Sequence, residues 1–223
     1  MTSVCVVVPN KNGLALLGPS LDSVLAQDFD PMSVLVVDNI SSDGSYELAL
    51  DYAARDARVT VVQNDVDVNY YGSLNRALAT TTAEYLVPFA NDDFMEPGNL
   101  TRKVALLEQT GAGFAHSSAR RIDGGGRTID VCPDHFAIPE VLGAGEFVPY
   151  LVPFNCVNVQ SAVIRVEALR SLGGWDPRTI YAADWLAFGR MAMRWRVVTI
   201  ADPLLVRREH SSTGTSSADA LGI

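Results

Sequence analysis

The sequence predicts a single-domain α/β protein with an open, mostly parallel sheet, flanking helices and a small antiparallel extension. Over the first 93 residues, short β-branched runs alternate with segments of helical periodicity. The runs are apolar throughout, which is typical of strands covered on both faces. The chain has 223 residues, of which 48% are hydrophobic, and this is enough for one sizeable core.

The first half of the chain predicts four strands and three helices. The strands are expected over the runs Val4–Val8, Val34–Val37, Val59–Val62 and Tyr85–Phe89. The helices are expected over Pro19–Gln27, Ser45–Arg55 and Gly72–Ala79. This order is a repeated strand, helix, strand pattern, which favours parallel pairing.

The second half is less regular. A helix over Leu100–Gln109, a short strand over Ala112–Ala115 and a hairpin over Ser118–Ile129 precede an irregular loop over 131–158. After the loop we predict a strand at 162–165, helices at 166–172 and 181–195, and strands near 197–200 and 204–207. The segment 211–223 is rich in Ser, Thr, Ala and Gly, and we expect a flexible tail there.

Composition argues against several classes of protein. The formal net charge is −9 at pH 7, which would repel the phosphate backbone of a nucleic acid. The three cysteines, Cys5, Cys132 and Cys156, are an odd number without Cys-x-x-Cys spacing. Neither a disulfide framework nor a zinc site is therefore expected.

Membrane insertion is not expected either. No apolar run approaches the roughly 20 residues of a spanning helix, and the N-terminus lacks the pattern of a signal peptide. We therefore expect a cytoplasmic protein. Contact with the inner face of a membrane stays open, because a small apolar patch is enough to reach a lipid-linked molecule.

Polar clusters follow four of the predicted strands directly. They are Pro9 to Asn12, Asp38-Asn39, Asn64-Asp65 and Asn91 to Asp93. In open parallel sheets, ligands bind at the carboxyl ends of the strands, so four clusters at one edge indicate a binding crevice. The alternative for any one cluster is ordinary turn chemistry.

Several acidic residues stand out in this pattern. In the Asn91-Asp92-Asp93 cluster, a carboxylate could hold Mg²⁺ or Mn²⁺ together with phosphate oxygens, although a cap is the alternative. Asp38 could accept a hydrogen bond from a base or a ribose, whereas Asp43 is interpreted as a helix cap. Asp184 lies in an apolar helical stretch, which suits a general base, with a first-turn acid as the alternative.

The histidines and the missing glycine motifs narrow the function further. His210 could ligate a metal through a neutral imidazole, whereas His116 and His135 are interpreted as structural. The chain has no Gly-x-Gly-x-x-Gly after its first strand and no P-loop, which argues against a dehydrogenase or an NTPase.

Taken in order, several segments resemble glycosyltransferase family 2. They are VVVPNKNG, LDSVLAQD, VLVVDNISSDGS, the region of Asn75, YLVPFANDD, GGWDPRTIYAADWLAFGRM and VRREHSS. The resemblance extends from Val4 to about Ser212. It implies a GT-A fold with a Rossmann-like sheet, and an enzyme that uses a nucleoside-diphosphate sugar, a divalent cation (Mn²⁺ or Mg²⁺) and inversion at the anomeric carbon.

The resemblance also implies a set of site residues. Asp184 would be the catalytic base that deprotonates an acceptor hydroxyl, and Asp93 and His210 would bind the metal. The nucleotide-sugar would lie against Pro9, Asn12, Asp38, Asn64, Gly72, Asn75 and Asp92.

Three positions depart from the family's pattern. Asn91 replaces the first acid of the triplet, and Ala183 replaces a Glu beside Asp184. Lys11 stands where many relatives have an aromatic residue that stacks on the base, so uracil is not specified. The Pro-Asn-Lys-Asn-Gly and Val-Asp-Asn motifs are similar to those of relatives that use dTDP-rhamnose as well as UDP-sugars.

The leading hypothesis is an inverting glycosyltransferase of the hexosyltransferase type, acting in polysaccharide, glycolipid or natural-product glycosylation with a UDP- or dTDP-linked donor. A second is a nucleotide-sugar-binding or catalytically weak partner subunit, motivated by Asn91 and Ala183. A third is a sugar-1-phosphate nucleotidyltransferase, which the missing Gly-rich loop disfavours. We expect residues 1–98 to bind the nucleotide-sugar and residues 99–210 to bind a saccharide, lipid-linked or small-molecule acceptor.

Overall fold

The computed structural model describes residues 2–131, 138–179 and 181–209. Its first half alternates strands and helices in the order β1 (Val4–Asn10), α1 (Leu14–Leu25), β2 (Met32–Asp38), α2 (Ser45–Arg55), β3 (Val59–Gln63), α3 (Asn69–Thr80) and β4 (Tyr85–Pro88). β1 pairs in parallel with β2 and with β4, and β2 pairs in parallel with β3. The predicted parallel sheet is confirmed.

The second half continues the same sheet. Its elements are β5 (Phe94–Met95), α4 (Asn99–Thr110), β6 (Phe114–Ile122), β7 (Thr128–Val131), β8 (Val141–Leu142), α5 (Val148–Leu151), a 3-10 turn (Val159–Ser161), β9 (Val163–Arg165), α6 (Val166–Arg170), α7 (Ala183–Ala192) and β10 (Val197–Arg208). The strand order is β3-β2-β1-β4-β9-β6-β10-β5, with β7 beside β6 and β8 beside β10. β9 runs antiparallel to both β4 and β6. The predicted antiparallel extension therefore begins at β9, and β6 and β7 form the predicted hairpin.

Both faces of the sheet are covered, as the apolar strand runs predict. Val4, Val6 and Val8 of β1 belong to a cluster with apolar side chains of α1, α2 and α4. Cys5 and Val7 belong to a second cluster, with side chains of α3, α6 and α7. Since successive strand residues point to opposite faces, these two clusters lie on the two sides of the sheet. Cys5 is buried and packs in the core, as expected.

The helices differ from prediction mainly at their ends. α1 begins at Leu14, five residues before the predicted start, and contains Pro19. The first turn, before Pro19, is closed by the Gly13 carbonyl, which accepts from the Leu17 N–H at 2.9 Å, although a proline disfavours the interior of a helix. α7 is shorter at both ends than the predicted 181–195. Among the described residues, no helix is long and apolar enough to cross a membrane.

The end of the chain corrects two further predictions. The strands predicted near 197–200 and 204–207 form one strand, β10, which pairs with β6 through irregularities between Ile200 and Leu205. Pro203 lies within that irregular stretch, where a bulge tolerates the missing donor. The loop predicted over 131–158 contains β8 and α5 in its described part. The predicted tail at 211–223 lies outside the described residues.

A lysine of α4 and a histidine of β6 are buried in the protein. Lys103 is 0% exposed, and its ammonium donates to Asn99 Oδ1 at 3.0 Å and to the Ser161 carbonyl at 2.6 Å. Burial lowers the pKa of Lys103 to about 7. Burial, together with Lys103, lowers the pKa of His116 to about 3, and its Nε2 lies 3.0 Å from Thr199 Oγ1. His116 is therefore a neutral residue of the core.

This lysine makes stability depend on pH above neutrality. In the unfolded chain Lys103 stays protonated up to about pH 10, whereas in the folded protein it loses its proton near pH 7. The unfolded state then binds more protons, so stability rises with pH in this window. We expect wild type to gain stability relative to Lys103→Met as the pH rises above 7. The gain in free energy of unfolding should be up to about 1.4 kcal/mol per pH unit. Urea unfolding at pH 7, 8 and 9 measures it, and a constant difference would contradict the assignment.

Candidate active site

One buried amide, that of Asn10 at the end of β1, joins the ends of three strands. Its Nδ2 lies 2.9 Å from Asp38 Oδ1 and 3.0 Å from Ser45 Oγ. Its Oδ1 accepts a hydrogen bond from Asn91 Nδ2 at 2.7 Å. The polar clusters that follow β1, β2 and β4 therefore form one network at the carboxyl edge of the sheet, where ligands of α/β proteins bind.

Asp38, at the end of β2, holds the loop that follows it. The carboxylate is 0% exposed and accepts from Asn10, from Gln63 Nε2 at 3.0 Å, and from both the hydroxyl and the N–H of Ser41. Burial alone would raise its pKa, but the hydrogen bonds from Ser41, Gln63 and Asn10 outweigh burial and lower the pKa below its usual value. Asp38 is thus ionised, and its contact with a nucleotide stays a prediction.

Three further predicted residues line or support the same edge. Pro9 is buried within β1. Asn12 has a positive φ of 51° and links two loops, because its Oδ1 accepts from the Ser42 N–H at 2.9 Å. Asn64, after β3, is buried and donates to Asn39 Oδ1 at 2.6 Å. The polar side chains of this edge thus order its loops, and direct contact of any of them with a ligand stays a prediction.

Gly72 and Asn75 lie on α3, and the structure shows a packing reason for each. A Cβ at Gly72 would lie 2.8 Å from the Val68 Cβ, so any larger residue would push against the start of the helix. The Asn75 amide donates to the Trp175 carbonyl at 2.7 Å and accepts from the Trp175 N–H at 3.0 Å. Asn75 therefore ties α3 to a backbone segment 100 residues away, and its contact with a ligand stays a prediction.

We expect Asn75→Ala to lower the free energy of unfolding by about 1–3 kcal/mol, because Trp175 would lose partners for both of its backbone groups. Gln109→Ala is the matched control, since Gln109 is an exposed amide on a helix of the same length. Chemical denaturation of the two variants gives the comparison. Equal stability of the two would contradict the bridging role of Asn75.

The acid pair after β4 combines one buried and one half-buried carboxylate. Asp93 is 3% exposed, and its Oδ1 accepts from the Arg208 N–H of β10 at 3.0 Å. Burial and the adjacent charge of Asp92 raise the pKa of Asp93 well above its usual value, although Arg207 and Arg208 oppose this. A buried carboxylate with little compensation favours a bound cation.

The residues at this place fit a hard divalent cation. Mg²⁺ and Mn²⁺ bind oxygen ligands and fill their shells with water and phosphate oxygens, so one or two carboxylates suffice. Asp93 and Asp92 supply these. Within the described ranges, no group of three or more His, Cys, Asp or Glu could hold a metal, so the fit requires oxygens from a phosphate. The remaining predicted ligand, His210, lies outside the described residues.

Asp184 is the second residue of α7 and is held in place from several sides. Its Oδ2 accepts from Asn155 Nδ2 at 3.0 Å, and its Oδ1 accepts from the Trp185 N–H at 2.8 Å. A third hydrogen bond comes from the Tyr71 side chain. Burial raises the pKa of Asp184 above its usual value, although these hydrogen bonds oppose it. The carboxylate is thus fixed in direction and made more basic, as a general base requires.

Two tyrosines in the first turn of α3 connect the two acid sites. Tyr71 donates to Asp184, and Tyr70 lies within electrostatic reach of Asp93, Asp184 and Asp92. Both acid sites are therefore within electrostatic reach of the first turn of α3. Neither tyrosine was predicted as a site residue, and nor was Asn155. The tandem tyrosines after the third strand were a visible signal, whereas Asn155 offered none.

Known families and proteins are similar to this chain. The model of the family described as glycosyl transferase family 2 matches residues 5–168, which leaves Asp184 beyond the matched range. A Bacillus subtilis protein named as a glycosyltransferase, EpsE, is 31% identical over 48% of this chain and 38% of its own length. The PGL/p-HBAD biosynthesis glycosyltransferase of Mycobacterium bovis is 25% identical over 46% of this chain and 40% of its own.

Solved structures share the fold. Staphylococcus aureus TarS 1-349, in complex with UDP-GlcNAc, superposes with a TM-score of 0.76 at 17% identity, over 98% of this chain and 61% of that chain. The mannosyltransferase PcManGT from Pyrobaculum calidifontis, in complex with GDP-Man and Mn²⁺, gives a TM-score of 0.72 at 23% identity, over 96% and 59%. Both are GT-A glycosyltransferases, so the predicted GT-A fold is confirmed. This chain spans less than two thirds of the length of each relative named here.

Proposed function

Because this chain belongs to glycosyltransferase family 2, we propose that it is an inverting, metal-dependent transferase that moves a sugar from a nucleoside-diphosphate donor to an acceptor hydroxyl. One observation supports this most strongly: two acid sites, Asp92–Asp93 after β4 and Asp184 on α7, converge on the first turn of α3. Transfer chemistry needs a site for the leaving diphosphate and a base on the opposite side of the reacting carbon, and in this proposal the two acid sites take these two roles.

In this proposal the donor lies along the carboxyl edge of β1 to β4. The loops there are ordered in advance by hydrogen bonds of Asn10, Asp38 and Asn64, so little ordering is left to occur on binding. Residues 1–98 form this donor half. The acceptor half, residues 99–210, brings Asp184 and Asn155 to the crevice. The donor is UDP- or dTDP-linked, and the acceptor is a saccharide, a lipid-linked sugar or a small molecule.

The reaction is a single displacement. Asp184 takes the proton of the acceptor hydroxyl as its oxygen bonds to the anomeric carbon, and the bond from that carbon to the phosphate oxygen breaks with its electron pair on the diphosphate. Asn155 and Tyr71 keep the base oriented during the attack. When bound at Asp93, Mg²⁺ or Mn²⁺ would stabilise the negative charge of the leaving diphosphate.

Two departures from the family's pattern, Asn91 and Ala183, motivate the hypothesis of a weak partner subunit, and both residues have structural contacts. The Asn91 amide donates to Asn10, so a carboxylate in its place would lose that hydrogen bond. Ala183 is 1% exposed and packs in the core. Asp93 and Asp184 are present beside them, so an enzyme is the better supported function. A partner subunit would bind the nucleotide without transferring sugar.

Calorimetric titration tests the donor site. The purified protein is titrated with UDP, dTDP, GDP and CDP, each with Mn²⁺ and again with EDTA in place of the metal. We expect one base to be preferred and binding to weaken at least about tenfold without Mn²⁺, since phosphate oxygens complete the metal's shell. If none of the four bound, the nucleotide-sugar proposal would be overturned.

A further inference from the structure

The Tyr70 hydroxyl is buried and has no hydrogen-bond partner among the described residues. Buried polar atoms in folded proteins nearly always have a partner, so an exception requires an explanation. Two of the buried atoms of this kind, the Tyr70 hydroxyl and Arg208 Nε, belong to residues within electrostatic reach of Asp93, whereas the others are Ser117 Oγ and Trp175 Nε1. An unmade hydrogen bond at this place points to a ligand that completes it.

The position of the hydroxyl is fixed by its surroundings. Tyr70 lies in the first turn of α3, and its ring packs edge-to-face on Tyr71, with 5.2 Å between the ring centroids. Tyr71 in turn is held by its hydrogen bond to Asp184. Both rings also pack against the core cluster beneath α3. Tyr70 is therefore preorganised, and a ligand would find its hydroxyl already in place.

The chemistry of the neighbours indicates which ligand atom is bound. Burial, then the nearby Tyr71 and the carboxylates of Asp93, Asp184 and Asp92, raises the pKa of Tyr70 well above its usual value. The group is thus a neutral O–H. The carboxylates of the acid pair, Asp92 and Asp93, are among those that act on Tyr70, so the hydroxyl lies within electrostatic reach of that pair. A diphosphate held near that pair carries oxygens that only accept hydrogen bonds, and it needs donors in a crevice lined by carboxylates.

We propose that the Tyr70 hydroxyl donates a hydrogen bond to a diphosphate oxygen of the bound sugar donor. The inference rests on the proposed function and names a group that binds the leaving diphosphate in addition to the metal. The hydrogen bond would strengthen as the bond to the sugar breaks and charge grows on the diphosphate.

Tyr70→Phe tests the proposal, with Tyr52→Phe as the matched control. Tyr52 donates to Asp22 Oδ1 at 2.7 Å on the other side of the sheet, between α1 and α2, so its variant loses a hydroxyl that has a partner. Without ligand, we expect Tyr70→Phe to keep or raise the melting temperature and Tyr52→Phe to lower it. With UDP or dTDP and Mn²⁺, we expect Tyr70→Phe to bind roughly tenfold or more weakly and Tyr52→Phe to bind as wild type does.

The possible outcomes distinguish a failure of the proposed role of Tyr70 from a failure of the proposed function on which it rests. Wild type that binds neither UDP nor dTDP with Mn²⁺ would overturn the UDP- or dTDP-linked donor and this inference together. If wild type binds and Tyr70→Phe binds equally well, or if Tyr70→Phe melts as early as Tyr52→Phe, only the role of Tyr70 is overturned. Weaker binding of UDP-glucose or dTDP-glucose with unchanged binding of UDP and dTDP would place the contact on the sugar, which also overturns it.

Discussion

Asp184→Asn is expected to reduce sugar transfer by about a hundredfold to ten-thousandfold while nucleotide affinity stays at the wild-type level. The amide keeps the shape of the carboxylate but cannot take the proton of the acceptor hydroxyl. Nucleotide affinity should persist, because none of the proposed donor contacts lies on α7. The release of nucleoside diphosphate from a nucleotide-sugar, measured beside calorimetric titration, separates the two effects.

Asp202→Asn is the control for this variant. The Asp202 side chain is 62% exposed and pairs with Arg102 on the surface, so its loss should leave both transfer and binding unchanged. Near-normal turnover by Asp184→Asn would contradict the assignment of the base. Loss of nucleotide binding in Asp184→Asn would instead mean that this carboxylate contacts the donor.

Asp93→Asn is expected to abolish the Mn²⁺-dependent part of nucleotide binding and, with it, sugar transfer. The amide has no charge for the cation, although its oxygen can still accept from the Arg208 N–H. Without ligand the same variant should be more stable than wild type by about 1–3 kcal/mol at pH 8, because it removes a buried charge next to Asp92. Thermal unfolding and titration of UDP and dTDP with Mn²⁺ measure both effects.

This opposition of stability and function is the mark of a functional carboxylate. Substitution of a residue that served only the fold would lower the stability of the protein, as the Asn75→Ala prediction illustrates. Asp202→Asn again serves as the surface control. If Asp93→Asn kept full Mn²⁺ dependence, the metal would be held elsewhere, and a less stable Asp93→Asn would show that the ionised carboxylate is well compensated in the free protein.

The parallel half of the sheet could be predicted because its signal is local. In β1 the residues Val4 to Val8 are all buried, with alternate side chains in two separate core clusters. A strand covered on both faces must be apolar at every position, so a continuous run is enough to identify it. The polar residues at the strand ends were predictable for the same reason, since a parallel sheet brings them to one edge.

Two of the errors arose at prolines. Pro19 suggested a helix start and Pro203 lies between the two separately predicted strands, yet each lies inside one continuous element. In both cases contacts from elsewhere in the fold decide: α1 buries Leu17 and Leu21 against the sheet, and β10 is held along its length by β6. The secondary-structure propensity of a local segment does not include such contacts.

The site was predictable in its acids but not in its supporting groups. Asp93 stands out as an acid in the polar cluster after an apolar strand, and Asp184 as a carboxylate in an apolar helical stretch. Both are within electrostatic reach of the tyrosines of α3. The partners of Asp184 come from distant segments: Tyr71 belongs to a visible pair of tandem tyrosines, but nothing beside Tyr71 or Asn155 in the sequence indicates the contact with Asp184. Asn75 has a structural role that the sequence did not indicate, because its amide bridges to the backbone of Trp175, and its contact with a ligand stays a prediction.

The configuration of the product tests the central claim most directly. Proton NMR, with Mg²⁺ as the metal, can follow the slow hydrolysis of UDP-glucose, UDP-N-acetylglucosamine or dTDP-rhamnose, in which water takes the place of the acceptor. A single displacement with Asp184 as base predicts that the first sugar released has the anomeric configuration opposite to that of the donor, and that Asp184→Asn releases almost none. Release of a sugar with the donor's own configuration, or equal release by Asp184→Asn, would contradict the mechanism.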